Sequence, residues 1–126
     1  MQSKQIGVLG EKIASDFLKK KNYQILDRNY SSKKVSGPIR GEIDIIAKEK
    51  DAFHFVEVKT LTSDKIISPE EKIDFQKERK IIKMAEYWLL ENKIPFDTKW
   101  QIDVISVIIN LNSKKAKIRH FENAIF

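Results

Sequence analysis

Two adjacent apolar runs that contain charged residues constrain this chain more than any other feature. They lie within residues 41–60, GEIDIIAKEKDAFHFVEVKT, and the charged turn KEKD separates them. Their β-branched and aromatic residues predict strands over 42–48 and 52–60, and the short turn predicts that the two strands pair as a hairpin. Strands that are buried in a core seldom carry ionised side chains, so the charges in these two require an explanation.

The charges of this hairpin are predicted to share one face. Side chains alternate across a strand, so Glu42 and Asp44 face one way, and Glu57 and Lys59 face one way. Pairing can then bring Asp44, Glu57 and Lys59 together. Carboxylates are hard oxygen ligands for Mg²⁺ or Mn²⁺, and a nearby lysine can orient water or stabilise charge on a phosphate. Glu57 and Lys59 also fit an ordinary cross-strand ion pair on a solvated face.

The rest of the chain predicts two helices and three more strands. Helices are predicted over 5–21 and from Pro69 to about Asn92, and strands over 23–30, 100–110 and 116–122. The second helix comes directly before the most apolar strand, which predicts a crossover and some parallel pairing. The predicted fold class is therefore α/β: one domain of residues 1–126, with a mixed five-stranded sheet flanked by helices in the order α-β-β-β-α-β-β.

Two charged residues of the helices can reach the same face. Glu11 lies at the edge of the apolar stripe of the first helix and can lean over the sheet, but it also fits a solvent-facing position near a helix N-terminus. Lys77 lies within the stripe of the second helix, where it either extends to solvent or binds a phosphate. Gly7 and Gly10 lie in or beside the first stripe and predict the close approach of another backbone.

The polar residues of the other apolar segments favour structural roles. Asp103 interrupts the strand QIDVI, where it either supports the site or acts as a buried acceptor for backbone or arginine donors, and we favour the structural role. His54 points away from Glu57 and is interpreted as a packing residue. Because His54 and His120 are far apart in sequence, we do not expect a histidine-rich metal site. The chain has no cysteine, which excludes disulfides and thiolate chemistry.

The charge of the chain limits its partners. It has 24 lysines and arginines against 18 aspartates and glutamates, a formal net charge of +6. This balance favours polyanions such as nucleic acid or an anionic membrane, although the lysines are scattered. The apolar runs are far shorter than a membrane span, and the N-terminus lacks the apolar stretch of a signal peptide. We therefore predict a cytoplasmic protein with no membrane partner.

The linked motifs resemble a known family. Asp44 followed by Glu57-x-Lys59 resembles the PD-(D/E)XK nucleases, which have the restriction-endonuclease-like fold. Over nearly the whole chain, six segments look in order and spacing like the YraN family of small bacterial endonuclease-like proteins: GVLGEKIASDFLKKKNYQILDRNY, GEIDIIA, FHFVEVKT, KERKIIKMAEYWL, QIDVI and FENAIF. The architecture is also similar to that of archaeal Holliday-junction resolvases. The chain departs from the pattern at Ile43, where the superfamily has proline, and at Leu61, where the family often has arginine.

The resemblance implies roles for individual residues. The catalytic residues would be Asp44, Glu57 and Lys59. Mg²⁺ or Mn²⁺ would be held by three carboxylates and one backbone carbonyl, those of Glu11, Asp44, Glu57 and Val58. Lys77 would bind the substrate.

The implied activity is metal-dependent hydrolysis of phosphodiester bonds in DNA, on branched or single-stranded structures. Cutting both strands of a branch would call for a homodimer, because one site cuts one strand. Two alternatives remain open. One is a nucleic-acid-binding module on a nuclease fold without catalysis. The other is a structural or adaptor domain whose carboxylates belong to an ion-pair network.

Overall fold

Five strands form one sheet whose spatial order, β1-β2-β3-β4-β5, is also the order in the chain. The computed structural model describes residues 2–34, 37, 41–63 and 75–124, except for the side chains of 75–77. Within this part the elements are α1 Ser3–Lys20, β1 Gln24–Tyr30, β2 Ile43–Glu49, β3 Ala52–Thr62, α2 Phe75–Glu91, β4 Trp100–Asn110 and β5 Lys115–Phe121. The predicted order of elements is confirmed.

The sheet is mixed, as predicted. The pairs β1–β2, β2–β3 and β4–β5 are antiparallel, whereas β3 and β4 pair in parallel and are connected through α2. Parallel neighbours need such a crossover because a short turn reverses the chain direction. The predicted start of the second helix at Pro69 lies outside the described residues. None of the described helices has the length and apolar character needed to cross a membrane.

The two helices cover opposite faces of the sheet. The face toward α1 buries Ala14 and Leu18 of the helix against aliphatic strand residues: Ile45, Ala47, Val56, Ile105, Val107 and Ile109. The face toward α2 buries Ile81, Met84, Ala85 and Trp88 against Phe53, Phe55 and Ile102. A fully buried side chain of this size contributes about 1.5–3 kcal/mol. These two clusters hold the helices in place and so fix where their polar residues meet the sheet.

The crossing of α1 over β3 depends on Gly10. A Cβ atom added to Gly10 would lie 1.9 Å from Thr60 Oγ1 and 2.7 Å from Thr60 Cβ, so no other residue fits there without a shift. A Cβ added to Gly7 would meet nothing within 4 Å. The predicted close approach is therefore confirmed at Gly10 and wrong at Gly7, where α1 leaves open space. The contact at Gly10 brings its neighbour Glu11 to the edge of β3.

Candidate functional site

The β2–β3 hairpin opens at Asp44. Its register runs from the turn to the pair Ile45↔Val56 and stops there, although β2 begins at Ile43 and β3 continues to Thr62. Beyond that pair, the backbone N–H of Val58 donates to the Asp44 carboxylate, with 2.8 Å between N and Oδ2. The Asp44 side chain thus takes the place of a backbone acceptor, and its Oδ2 is already bonded to β3.

Negative charge accumulates around Asp44. Burial raises the pKa of Asp44, and the neighbouring Glu57 carboxylate raises it further, while the hydrogen bond from Val58 lowers it. The charges of Glu11 and Glu42 also raise this pKa, which reaches about 7. A carboxyl group is shifted in this way when like charges surround it without enough compensation. A cation bound among these groups would therefore favour the ionised form of Asp44.

Asn29 connects two of these carboxylates. Its side-chain amide Nδ2 donates to Glu11 Oε1 at 2.8 Å and to Glu42 Oε1 at 3.2 Å. Asn29 lies between Arg28 and Tyr30, which pair with Ile45 and Ile43 of β2. It has a φ of 51°, a left-handed conformation that asparagine tolerates better than most residues. Sequence reasoning missed Asn29 and Glu42 as site residues. Glu42 had a usable signal, since it shares its predicted face with Asp44.

The other predicted residues lie on β3 and α2. Glu57 is buried, with 7% of its surface exposed, and Lys59 is partly buried two residues later on the same face. On the neighbouring strand Lys59 pairs with Ser106, whose hydroxyl is buried and has no hydrogen-bond partner among the described residues. Lys77 lies in the first turn of α2, and its side chain is outside the described part.

The donors at this edge suit a hard cation. Glu11, Asp44, Glu57 and the Val58 carbonyl offer only oxygen, the ligand that Mg²⁺ and Mn²⁺ prefer. The ligand atoms of the three carboxylates are not all close together, however. Among the residues that the structure describes, Glu11, Asp44 and Glu57 do not form a group whose ligand atoms all lie within 4.8 Å of one another. Mutual repulsion favours such separation of like charges.

A second buried carboxylate, Asp103, has a different environment. Its Oδ2 accepts from His54 Nδ1 at 2.7 Å and from His120 Nε2 at 2.8 Å, and its Oδ1 accepts from Gln101 Nε2 and the Asn123 N–H, both at 2.9 Å. Burial acts to raise the pKa of Asp103, but these four hydrogen bonds outweigh it and hold the pKa below its usual range. Asp103 is thus a buried acceptor, as the favoured interpretation proposed, with histidine donors in place of arginine.

The histidines do more than the sequence predicted. His54 is buried, packs edge-on against Tyr23 with ring centroids 4.9 Å apart, and also bonds Asp103. His54 and His120 are far apart in sequence but not in the fold, because β5 brings His120 to the same Asp103 carboxylate. His54, Asp103 and Glu122 also have ligand atoms within 4.8 Å of one another. Since four donors already satisfy Asp103, we interpret this cluster as structural.

Comparison with known proteins places the chain among relatives of equal length. The pattern of the family described as "Uncharacterised protein family UPF0102" matches residues 10–107. A UPF0102 protein of Alkaliphilus oremlandii is 40% identical over 122 residues, which cover 97% of this chain and 98% of the relative. A UPF0102 protein of Clostridium botulinum strain 657 is 40% identical, covering 97% and 94%. The chain therefore belongs to the UPF0102 family.

Proposed function

We propose that this protein is a metal-dependent nuclease of the PD-(D/E)XK type that hydrolyses phosphodiester bonds in DNA. The observation that carries the proposal is the environment of Asp44: burial and the neighbouring charges of Glu57, Glu11 and Glu42 together raise the pKa of Asp44 to about 7. Such crowding is costly for a purely structural site, whereas perturbed carboxylates are common where a protein binds metal or performs catalysis. The resemblance to the YraN family supports the same reading.

The residues of the chain have distinct roles in this proposal. Glu11, Asp44, Glu57 and the Val58 carbonyl would hold Mg²⁺ or Mn²⁺. When bound, such an ion supplies Lewis-acid stabilisation of phosphate charge and acidifies water. Lys59, two residues after Glu57 on β3, would stabilise the negative charge that develops on the phosphate. Asn29 orients the Glu11 and Glu42 carboxylates, and the Val58 N–H orients Asp44.

Substrate binding relies on the positive balance of the chain. With a net charge of +6, it attracts a polyanion. Lys77 is proposed to contact the phosphate backbone from α2. A cytoplasmic location follows the sequence prediction, and a homodimer is proposed for substrates in which both strands are cut.

A nucleic-acid-binding module without catalysis is the second candidate. The observation that favours it is the open spacing of Glu11, Asp44 and Glu57, whose ligand atoms do not all lie within 4.8 Å of one another. Against it stands the charge of the site, because clustered carboxylates repel a polyanion unless a cation is present. A structural ion-pair network fits less well, since the pKa of Asp44 itself is raised, whereas hydrogen bonds hold the pKa of Asp103 below its usual range.

Cleavage assays with a matched lysine pair test the proposal. Labelled linear, single-stranded, flapped and four-way DNA substrates are incubated with Mn²⁺ or Mg²⁺ and with a chelator. We expect metal-dependent cleavage by the wild type. Because Lys59 acts on developing charge, Lys59→Ala should lower the single-turnover rate by about 100-fold or more with affinity within a few-fold.

Lys117→Ala removes an exposed lysine of β5 and serves as the control, with a rate close to that of the wild type. If the wild type binds DNA but cleaves none of these substrates with either metal, the binding module replaces the nuclease. Equal rate losses in the two lysine variants would mean that Lys59 contributes only general positive charge.

A further inference from the structure

A cleft lies beside the candidate site, between the first turns of α1 and the end of β3. Its volume is about 220 Å³, and its lining comprises Ser3, Ile6, Gly7, Glu11, Val58, Thr60, Leu61 and Thr62. Gly7 forms part of the wall, and the absence of a side chain at this position keeps the space open. Glu11 and Val58 belong both to the cleft and to the proposed metal site, so the two are continuous.

The lining is unsuited to a phosphate. Among the described residues its lining has no lysine or arginine, and its one charged group there is the carboxylate of Glu11. Ile6, Val58 and Leu61 provide aliphatic surface, while three hydroxyl groups provide hydrogen-bonding capacity: those of Ser3, Thr60 and Thr62. A neutral, flat group with polar edges matches this surface, and a nucleobase is such a group.

Thr62 provides an independent indication of a ligand. It is 6% exposed, and its hydroxyl has no hydrogen-bond partner within the part of the chain that the structure describes. Alternation along β3 directs Thr62 toward α1, on the face that also carries Val58 and Thr60. An unsatisfied buried hydroxyl destabilises the folded state, and a ligand that bonds it would remove this cost.

We propose that this cleft receives one unpaired nucleobase of the strand that is cut, so that the substrate class is single-stranded or flapped DNA. The inference rests on the proposed nuclease function. The cleft is smaller than the roughly 300–1,000 Å³ of sites for drug-sized ligands, which suits one ring system rather than a base pair. A base in a duplex would first have to leave the stack, which costs free energy, whereas an unpaired base enters without that cost.

Binding assays without metal separate base contacts from phosphate contacts. The probes are a thymidine octamer and an abasic octamer of equal length, which carry the same phosphates, in the presence of a chelator. The wild type is expected to bind the thymidine octamer about 5- to 150-fold more tightly, the range expected for one stacked base. Gly7→Leu fills the cleft and should reduce this preference to twofold or less while leaving the affinity for the abasic octamer unchanged.

Two further variants make the test specific. Val8→Leu changes the exposed neighbour of Gly7 and should keep the full preference. Thr62→Val removes the hydroxyl at nearly constant volume and should lower the preference by a few-fold. Leucine is a better helix former than glycine, so Gly7→Leu is compatible with a folded α1, and circular dichroism checks this.

The outcomes distinguish this inference from the nuclease proposal. A wild type without preference for thymidine, or a preference that survives Gly7→Leu, overturns the base-binding cleft. If metal-dependent cleavage of duplex DNA persists in that case, the nuclease proposal stands alone. A preference that Gly7→Leu abolishes, in a protein that cleaves nothing, supports the cleft and overturns the nuclease.

Discussion

Asp44 and Asp103 lie in the same sheet, on β2 and β4, the two strands that flank β3. Their pKa values nevertheless shift in opposite directions. Asp103 receives four hydrogen bonds, and these hold its pKa below the usual range despite burial. Asp44 receives the N–H of Val58 against the charges of three glutamates, and its pKa rises to about 7. Burial acts in the same direction on both residues, so the difference arises from their neighbours.

This contrast separates two uses of a charge inside a strand. The donors around Asp103 come from four separate points of the fold, so its carboxylate stabilises the native arrangement of β3, β4 and β5. The glutamates around Asp44 oppose its ionisation, so the native state tolerates this group rather than depending on its charge. Perturbed carboxylates without compensation are a feature of functional sites, although structural networks can also show them.

Removal of Asp103 tests the stabilising side of the contrast and should have the largest effect. Asp103→Ala leaves four donors, among them the buried His54, without their acceptor, and we expect a loss of ~3–5 kcal/mol in the free energy of unfolding at pH 7. Urea denaturation measures this loss. Asp51→Ala, at an exposed turn position, is the control and should change stability by less than about 0.5 kcal/mol. Similar small losses in both variants would contradict the structural role of Asp103.

A change at Gly10 should disturb the Asp44 region while sparing the Asp103 cluster. Gly10→Ala forces its new methyl group into Thr60, and such overpacking costs ~1–3 kcal/mol. The matched variant Gly7→Ala meets open space and should instead stabilise α1 by about 0.5–1 kcal/mol. Thermal unfolding of both variants measures the difference. Equal shifts would show that α1 does not approach β3 closely at Gly10.

Neutralisation of Asp44 should give a smaller effect of opposite sign. The unfolded chain loses the Asp44 proton near pH 4, whereas the folded chain keeps it until about pH 7, so the associated stability is lost as the pH rises through this window. Asp44→Asn preserves an acceptor for the Val58 N–H but removes the charge. It should raise the free energy of unfolding by ~1–2 kcal/mol at pH 8. One pKa unit corresponds to about 1.4 kcal/mol, and the full shift is discounted because Asp44 is only partly buried.

The pH dependence provides the check on that variant. The gain should disappear below about pH 3, where the wild-type carboxyl is protonated in both states, and Asp51→Asn should show no such dependence. Urea denaturation at the two pH values, in the presence of a chelator, makes the measurement. A gain of equal size at both pH values would place its origin outside the charge of Asp44.

The sequence predicts the strands because they depend on local periodicity. The last apolar strand is predicted over 100–110 and observed as Trp100–Asn110, and alternation correctly separates His54 from Glu57. The opening of the hairpin at Asp44 could not be predicted in this way. No local pattern indicates where two strands part, because this depends on which acceptor the Val58 N–H finds.

Contacts between residues that are far apart in sequence could not be predicted either. His54 and His120 reach Asp103 only through the parallel register of β3 with β4 and the antiparallel register of β4 with β5. Gly7 and Gly10 lie near the same helical stripe, and only the position of the crossing distinguishes the required glycine from the one beside a cleft. Both distinctions need the three-dimensional path of the chain.

The hydrogen bonds of Asp103 also make folding depend on the order in which the residues are synthesised. During translation Asp103 emerges before His120 and Asn123, which supply two of its four donors. Until those residues are available, a nascent chain that has already formed β3 and β4 holds a partly satisfied carboxylate in its interior. We therefore expect the central strands to reach their final stability only after β5 has been made.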